Sequence, residues 1–187
     1  FTLKNSNGVE VSISNLGAII QSFIVPDSSG KPRDIVLGFD QMKHYTDQSY
    51  IESNSYLGAI VGRYANRVSN SMFELDSELY PLSSNHPPHQ LHGGYEGFDR
   101  KVWKLESVSG IPEAQLVLSY LSKDGEEGFP GNLSVQIAFE LNENNELIMQ
   151  TEASTDKATP VNLTHHGYFN LNGKGTIEDH FAEIPAS

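Results

Sequence analysis

From Leu133 to Leu141 the chain reads Leu-Ser-Val-Gln-Ile-Ala-Phe-Glu-Leu, apolar at every odd position and polar or small at every even one. A period of two buries one face of a β-strand and leaves the other wet. The period recurs at Val9–Ser14; Ala18–Val25, Asp34–Leu37, the Val- and Leu-rich Gln115–Leu121 and Glu146–Ala153 read as further strands, and Leu57–Val61 is a short apolar run ending at Gly62. Met72–Leu75 and Leu79–Leu82 predict a hairpin across Asp76-Ser77-Glu78, and the Asn-rich stretch Asn142–Asn145 predicts another. Pro26–Gly30 reads as a turn, and Ile177–Ile184 as a further strand. Only Asp40–Thr46 and Gln48–Glu52 look helical, and both are short; no segment sustains a 3.6-residue period. The expected fold class is all-β with antiparallel pairing, a sandwich or a barrel, formed by residues 1–187 as a single domain. The chain reaches Pro185-Ala186-Ser187 without a closing helix or polar tail, so the β-structure is expected to be incomplete at its C-terminal end, with an unpaired strand edge.

Charge narrows the partners. Twenty-four acidic residues stand against 12 basic ones, for a net charge of −12, and no basic run occurs. That disfavours nucleic acid and anionic membrane surfaces, and a neutral small molecule is the easiest ligand to accommodate. No stretch has the length of a membrane span. The chain has no cysteine, which removes disulfides, thiolate metal sites and cysteine nucleophiles. This composition fits a cytoplasmic protein. No signal peptide opens the chain, and its first residue is Phe rather than Met, so a processed, exported form is also compatible with it.

Two histidine-bearing segments could carry chemistry. Leu91-His92-Gly93-Gly94 lies in a loop-rich stretch, and Pro160 to Leu171 contains Asn162, His165, His166 and Tyr168. An imidazole near its ordinary pKa of about 6.5 serves as acid or base at neutral pH. On a strand, His165 and His166 would face opposite ways, with Tyr168 on the side of His166. His86, His89 and His92 are spaced by three, but Pro87-Pro88 breaks any helix that would align them, and no second ligand cluster follows, so no metal is expected. Gly62-Arg63-Tyr64-Ala65-Asn66-Arg67-Val68 offers two guanidinium forks and an amide that suit hydroxyl groups; for either Arg alone, pairing with a carboxylate of this acidic chain is the more ordinary use. Glu126-Glu127, between Gly125 and Gly128, reads as a solvated turn. Tyr95, Phe98 and Trp103 surround the His92 loop and either stack on a sugar ring or serve as core.

Taken in order, Gly62–Val68, Leu91–Gly94 with Gly97-Phe98-Asp99, Gly125–Leu133 and Asn162–Leu171 resemble the aldose 1-epimerase (galactose mutarotase) family over essentially the whole chain. The resemblance implies a large antiparallel β-sandwich of the galactose mutarotase type. It also implies interconversion of the α and β anomers of free aldohexoses such as glucose and galactose, with a monosaccharide substrate and no cofactor. His166 matches the family's general acid, which protonates the ring oxygen, and His92 the second histidine at that oxygen. Asn66 and Arg67 match the sugar-hydroxyl contacts, and Tyr168 falls within the catalytic segment that carries His166. The family's base is a glutamate placed further along than Ser187, so Glu178, Asp179 and Glu183 are not assigned to that role. The chain departs from the pattern at His165, where Asn is common, at Gly167, where Ser or Ala is common, and at Ser71, where Gly is frequent. A non-catalytic carbohydrate-binding module is the competing expectation.

Overall fold

A computed structural model describes residues 1–53, 55–110 and 113–185. Its strands, in chain order, are β1 (Thr2–Lys4), β2 (Glu10–Ile13), β3 (Ile20–Pro26), β4 (Pro32–Asp34), β5 (Ile60–Val61), β6 (Arg67–Val68), β7 (Met72–Leu75), β8 (Glu78–Pro81), β9 (Gln90–Leu91), β10 (Lys104–Ser109), β11 (Ala114–Ser122), β12 (Leu133–Leu141), β13 (Leu147–Thr155) and β14 (Thr164–His165). The two helical segments anticipated from sequence are a 3-10 turn at Met42–Thr46 and one short helix, α1 (Gln48–Ser53). All strand pairings are antiparallel, in two four-stranded sheets ordered β1-β2-β3-β4 and β10-β11-β12-β13 and three two-stranded ladders, β14-β5, β6-β9 and β7-β8.

The alternation in β12 decides how the sheets meet. Leu133, Val135, Ile137, Phe139 and Leu141 are buried, as are Leu116 and Leu118 on β11. They share one core with Leu3, Val11, Ile13 and Ile20 of the first sheet, and with Phe98 and Trp103. The turns that close the strands follow local chemistry. Asp76 and Ser77 both have positive φ, 53° and 65°, the backbone a two-residue hairpin needs. The Asp27 carboxylate accepts the N–H groups of Ser29 and Lys31 and so shapes the β3–β4 turn. Asn142 Oδ1 likewise accepts the N–H groups of Asn144 and Glu146, while Asn5 Nδ2 donates to the Asn142 carbonyl and ties the two sheets together at one end.

One expected strand is absent. Ile177–Ile184 forms turns and irregular backbone, and Phe181 is 101% exposed. A strand needs a neighbour to complete its hydrogen bonds, and this segment has none among the described residues. Its alternation therefore remains unused. Ala186 and Ser187 lie outside the described residues. At the free edge of the second sheet, β13 is exposed on both faces, including Met149 and Ala153, which register beside buried Phe139 and Val135. Among the described residues no helix is long and apolar enough to cross a membrane.

Ile137 is fully buried at the centre of the shared core. Ile137→Ala should cost about 2–5 kcal/mol, from lost transfer energy and the cavity left behind. Chemical denaturation of parent and variant checks this, and a change below about 0.5 kcal/mol would show that the two sheets do not close on this residue.

Candidate active site

The segment 162–170 is stitched between two distant parts of the chain. Asn162 N donates to Arg63 O, and Ala65 N to Asn162 O. Thr164 and His165 pair with Val61 and Ile60. His166 N donates to Ala59 O at 2.8 Å, and its carbonyl accepts from Gly58 N at 3.0 Å. On the other side, Leu37 N donates to Tyr168 O and Asn170 N to Ile35 O. With both of its backbone groups paired, His166 has a fixed backbone position.

The second histidine is fixed by a different exchange. His92 N donates to Asn66 O at 3.0 Å, and Asn66 N donates to His92 Nδ1 at 3.0 Å. Both residues sit in the left-handed region, His92 at φ 52° and Asn66 at φ 65°. Such a conformation is uncommon for non-glycine residues and is held here by the reciprocal bonds. Because Nδ1 accepts, the neutral ring carries its proton on Nε2.

These restraints bring the two rings together. His92 and His166 lie 5.1 Å apart between centroids and perpendicular. Tyr56 closes the group from beneath, 4.7 Å from His92 and 5.6 Å from His166, and is itself only 5% exposed. Tyr168 flanks His166 at 5.1 Å and is 40% exposed. Among the described residues no side-chain hydrogen bond engages the His166 ring. Burial, then the proximity of His166, then that of Arg67, lowers the His92 pKa to about 4. The pair therefore has a definite division: His92 is a neutral Nε2–H donor, and a proton arriving at the site is kept off it.

The residues singled out in the sequence separate cleanly. Asn66 and Arg67 are exposed beside His92, with Arg67 Nη1 donating to Asn66 Oδ1 at 3.4 Å. Arg63, four positions earlier, is 2% exposed and forms no ion pair among the described residues; it donates to the hydroxyls of Ser122, at 2.7 Å, and Thr159, at 3.3 Å. Its fork donates to the carbonyls of Ser122, Lys123, Pro130 and Gly131 and lies over the Phe129 ring, 5.6 Å from its centroid. Phe98 and Trp103 are core, whereas Tyr95 is exposed and donates its hydroxyl to Ser84 O. His86 and His89 pair through their backbones, and among the described residues no three His, Asp or Glu side chains are grouped to hold a metal ion. Glu126 and Glu127 are half-buried and engaged rather than free in solvent. Glu126 accepts from the Tyr120 and Ser122 hydroxyls, and Glu127 accepts backbone N–H groups of the His92 loop. Tyr56 carried no signal in the sequence, since a lone aromatic before an apolar run reads as core. Glu127 carried only its flanking glycines.

His165 points away from the pair. Its Nε2 is buried without a partner, and burial pushes its pKa down. A Cβ on Gly167 would stand 2.5 Å from His165 Cε1 and 2.8 Å from Phe169 Cε2. The imidazole at 165 thus requires the missing side chain at 167.

With this geometry in hand, the comparisons with known proteins are decisive for the family. The sequence model described as aldose 1-epimerase matches residues 1–187. The chain belongs to the aldose 1-epimerase family. It is 40% identical over 183 residues to the galactose mutarotase of Bos taurus, which covers 97% of this chain and 51% of that protein. It is 38% identical over 186 residues to the aldose 1-epimerase of Escherichia coli strain K12, covering 99% and 51%. The crystal structure of an aldose epimerase homologue from C. elegans superposes with a TM-score of 0.83 at 31% identity, over 93% of this chain and 51% of that one. A galactose 1-epimerase from Lactobacillus acidophilus gives 0.79 at 30% identity, over 91% and 48%. The fold is therefore the antiparallel β-sandwich of the galactose mutarotase type. The chain spans about half the length of the curated relatives it matches.

Two measurements follow. Because folding lowers the His92 pKa from 6.5 to about 4, the His92 ring should show no titration between pH 8 and 5.5 by NMR. The unfolded chain takes up a proton below about 6.5 that folded His92 refuses, so this residue's contribution to stability is present above that pH and lost as pH falls towards 4. A His92 midpoint near 6.5 would contradict the buried, Nδ1-accepting geometry. Separately, Gly167→Ala should destabilise the protein by about 1–3 kcal/mol through overpacking. Most of that cost should disappear in a His165→Asn background, read as the coupling term of a double-mutant cycle; additive effects would mean that the two positions are independent.

Proposed function

We propose that the protein is an aldose 1-epimerase that interconverts the α and β anomers of free aldohexoses, and that residues 1–187 form one domain carrying the proton-donating side of its site. The observation that carries this reading is the perpendicular His92–His166 pair, one ring a fixed neutral donor and the other unpartnered. Family membership supports it, as do the names of the relatives, galactose mutarotase and aldose 1-epimerase.

In this reading the sugar ring oxygen sits at the two imidazoles. His166, as imidazolium, gives its proton to O5 while the C1–O5 bond breaks. A base removes the proton of the C1 hydroxyl, leaving the open-chain aldehyde. Rotation about C1–C2 presents the other face of the carbonyl, and reversal of the same proton movements closes the ring as the other anomer. The steps are redox-neutral and need only a donor and an acceptor in different protonation states. His92, through Nε2–H, steadies the ring oxygen. Asn66 and Arg67 take hydroxyl groups, with forked, charge-assisted bonds available from the guanidinium, and Tyr168 provides a flanking wall. The base is assigned to a glutamate outside residues 1–187; Asp179 is engaged by Asn172 and His180, and Glu178 by Thr176. A cytoplasmic setting and a neutral monosaccharide accord with the acidic, cysteine-free composition.

Polarimetry or one-dimensional NMR on freshly dissolved α-D-glucose and α-D-galactose tests this in the full protein. Equilibration should be faster than in buffer alone, and His166→Gln should reduce the rate on the order of 10²–10⁴-fold, the usual range for a general acid. Sugar binding without any acceleration would favour the carbohydrate-binding module instead, and a variant as fast as the parent would remove His166 from the acid role.

A further inference from the structure

The His92 loop has little to hold it in place by itself. From Leu91 to Gly97 it contains three glycines, and Gly93 and Gly94 take φ of 93° and 108°, values open to glycine and costly for other residues. Asn85 grips one side, donating to the carbonyls of Leu91 and Gly94 and accepting from Leu91 N. Beyond the His92–Asn66 exchange, a carboxylate takes the backbone that follows His92. Glu127 Oε2 accepts from Tyr95 N at 3.1 Å, and Oε1 accepts from Glu96 N at 2.8 Å. A carboxylate has the fork to take two successive backbone N–H groups, and as an ionised acceptor it makes the stronger class of hydrogen bond. The fit leaves no slack: a Cβ on Gly94 would overlap the Glu127 carboxylate.

Glu127 is itself anchored. Its carbonyl accepts from Ser83 N at 3.1 Å and from Gln90 Nε2 at 3.2 Å, and its carboxylate also accepts from the Ser83 hydroxyl. Gln90, fully buried on β9, lies two residues before His92. The residue adopts φ 51°, a left-handed conformation that a glutamate adopts only when its surroundings fix it. The turn bearing it is held in turn by the Arg63 guanidinium, which grips the backbone on both sides, at Ser122 and Lys123 and at Pro130 and Gly131.

We infer that Glu127 is the positioning residue of the His92 loop: its carboxylate, fixed to the β11–β12 turn, clamps the Tyr95-Glu96 backbone and thereby sets where the His92 imidazole stands against Asn66 and His166. Glu127 touches no reacting atom and acts through the loop. The inference rests on the proposed epimerase reading only in its kinetic consequence; its structural consequence stands without it.

Glu127→Gln replaces one acceptor oxygen by an NH2 group that faces a backbone N–H, donor against donor. Glu127→Asp keeps the charge and withdraws it by one methylene. In the full protein, either change should shift the ¹⁵N resonances of the His92 ring away from the pure Nε2–H tautomer and move the Asn66 amide, as its bond to Nδ1 loosens. The amides of β10–β13 should stay in place. For anomer exchange, kcat should fall on the order of 10-fold with KM little changed, since a displacement of about an ångström costs rate more than affinity when Asn66 and Arg67 still hold the sugar. Glu152→Gln, an exposed carboxylate on β13, should change neither signal nor rate. If neither Glu127 variant folds, Ser83→Ala, which removes one anchor of the carboxylate, should move the same His92 and Asn66 signals in the same direction by less. His92 and Asn66 resonances that match the parent in a folded Glu127 variant, with kcat within about twofold, would overturn the inference. The same would follow from an unmoved signal in Ser83→Ala where that variant serves as the test. Shifted resonances in a protein whose parent shows no anomer exchange would uphold the positioning role and refute the epimerase reading.

Discussion

Everything at the site depends on one run of backbone hydrogen bonds, the one that seats residues 162–170 between 58–65 and 35–37. Backbone N–H and C=O groups taken from water must find partners, and a segment paired on both sides has its side-chain directions fixed by the strand period. That constraint turns His165 towards the interior and His166 towards Tyr56 and Tyr168. It also holds Asn162 against Arg63 and Ala65, which places the Asn66 turn where it can accept and steer His92. The four motif segments thus form a closed set of contacts: 162–166 on 58–65, Asn66 on His92, Glu127 on the His92 loop, and Arg63 back onto the turn carrying Glu127.

The same packing sets the electrostatics. Two imidazoles at 5.1 Å cannot both hold protons cheaply, and burial on one side breaks the tie. His92 loses, because burial, then the proximity of His166 and then that of Arg67 disfavour a proton on it. The outcome is an asymmetric pair, which suits a reaction in which one oxygen must receive a proton and be held while it does so. Burial lowers the pKa of His165, one residue away, and so disfavours a further charge beside the pair.

Much of this was legible in the sequence, and the reasons for the rest are physical. Leu133–Leu141 reads as a strand with the bounds it has in the fold, because its alternation is strong and one face is buried. The hairpin of β7 and β8 is legible too, because Asp76 and Ser77 tolerate the turn. β10 was invisible: Lys104–Ser109 is exposed throughout, carries a bulge, and is a strand only because β11 pairs with it. Ile177–Ile184 shows the converse, alternation with no neighbour. At the site, the resemblance pointed to His92 and His166, but their meeting depends on long-range pairing that no local pattern encodes. Arg63 and Arg67 have the same chemistry four residues apart, yet one is buried on carbonyl and hydroxyl groups and the other is exposed; only tertiary context separates them. Glu127 belongs with these, since a Gly-flanked acidic pair reads as solvent-facing until its left-handed backbone and the approach of the His92 loop are known.

The most direct measurement is made on the two rings themselves: nuclear Overhauser contacts among the ring protons of His92, His166 and Tyr56 in the protein at neutral pH, followed as 1,5-anhydroglucitol, a ring sugar with no anomeric hydroxyl, is added. The expected result is ring-to-ring contacts before the addition and concerted shifts of both imidazoles upon it. Absence of a His92–His166 contact, or shifts confined to one ring, would show that the fold does not assemble the pair on which the proposed chemistry rests.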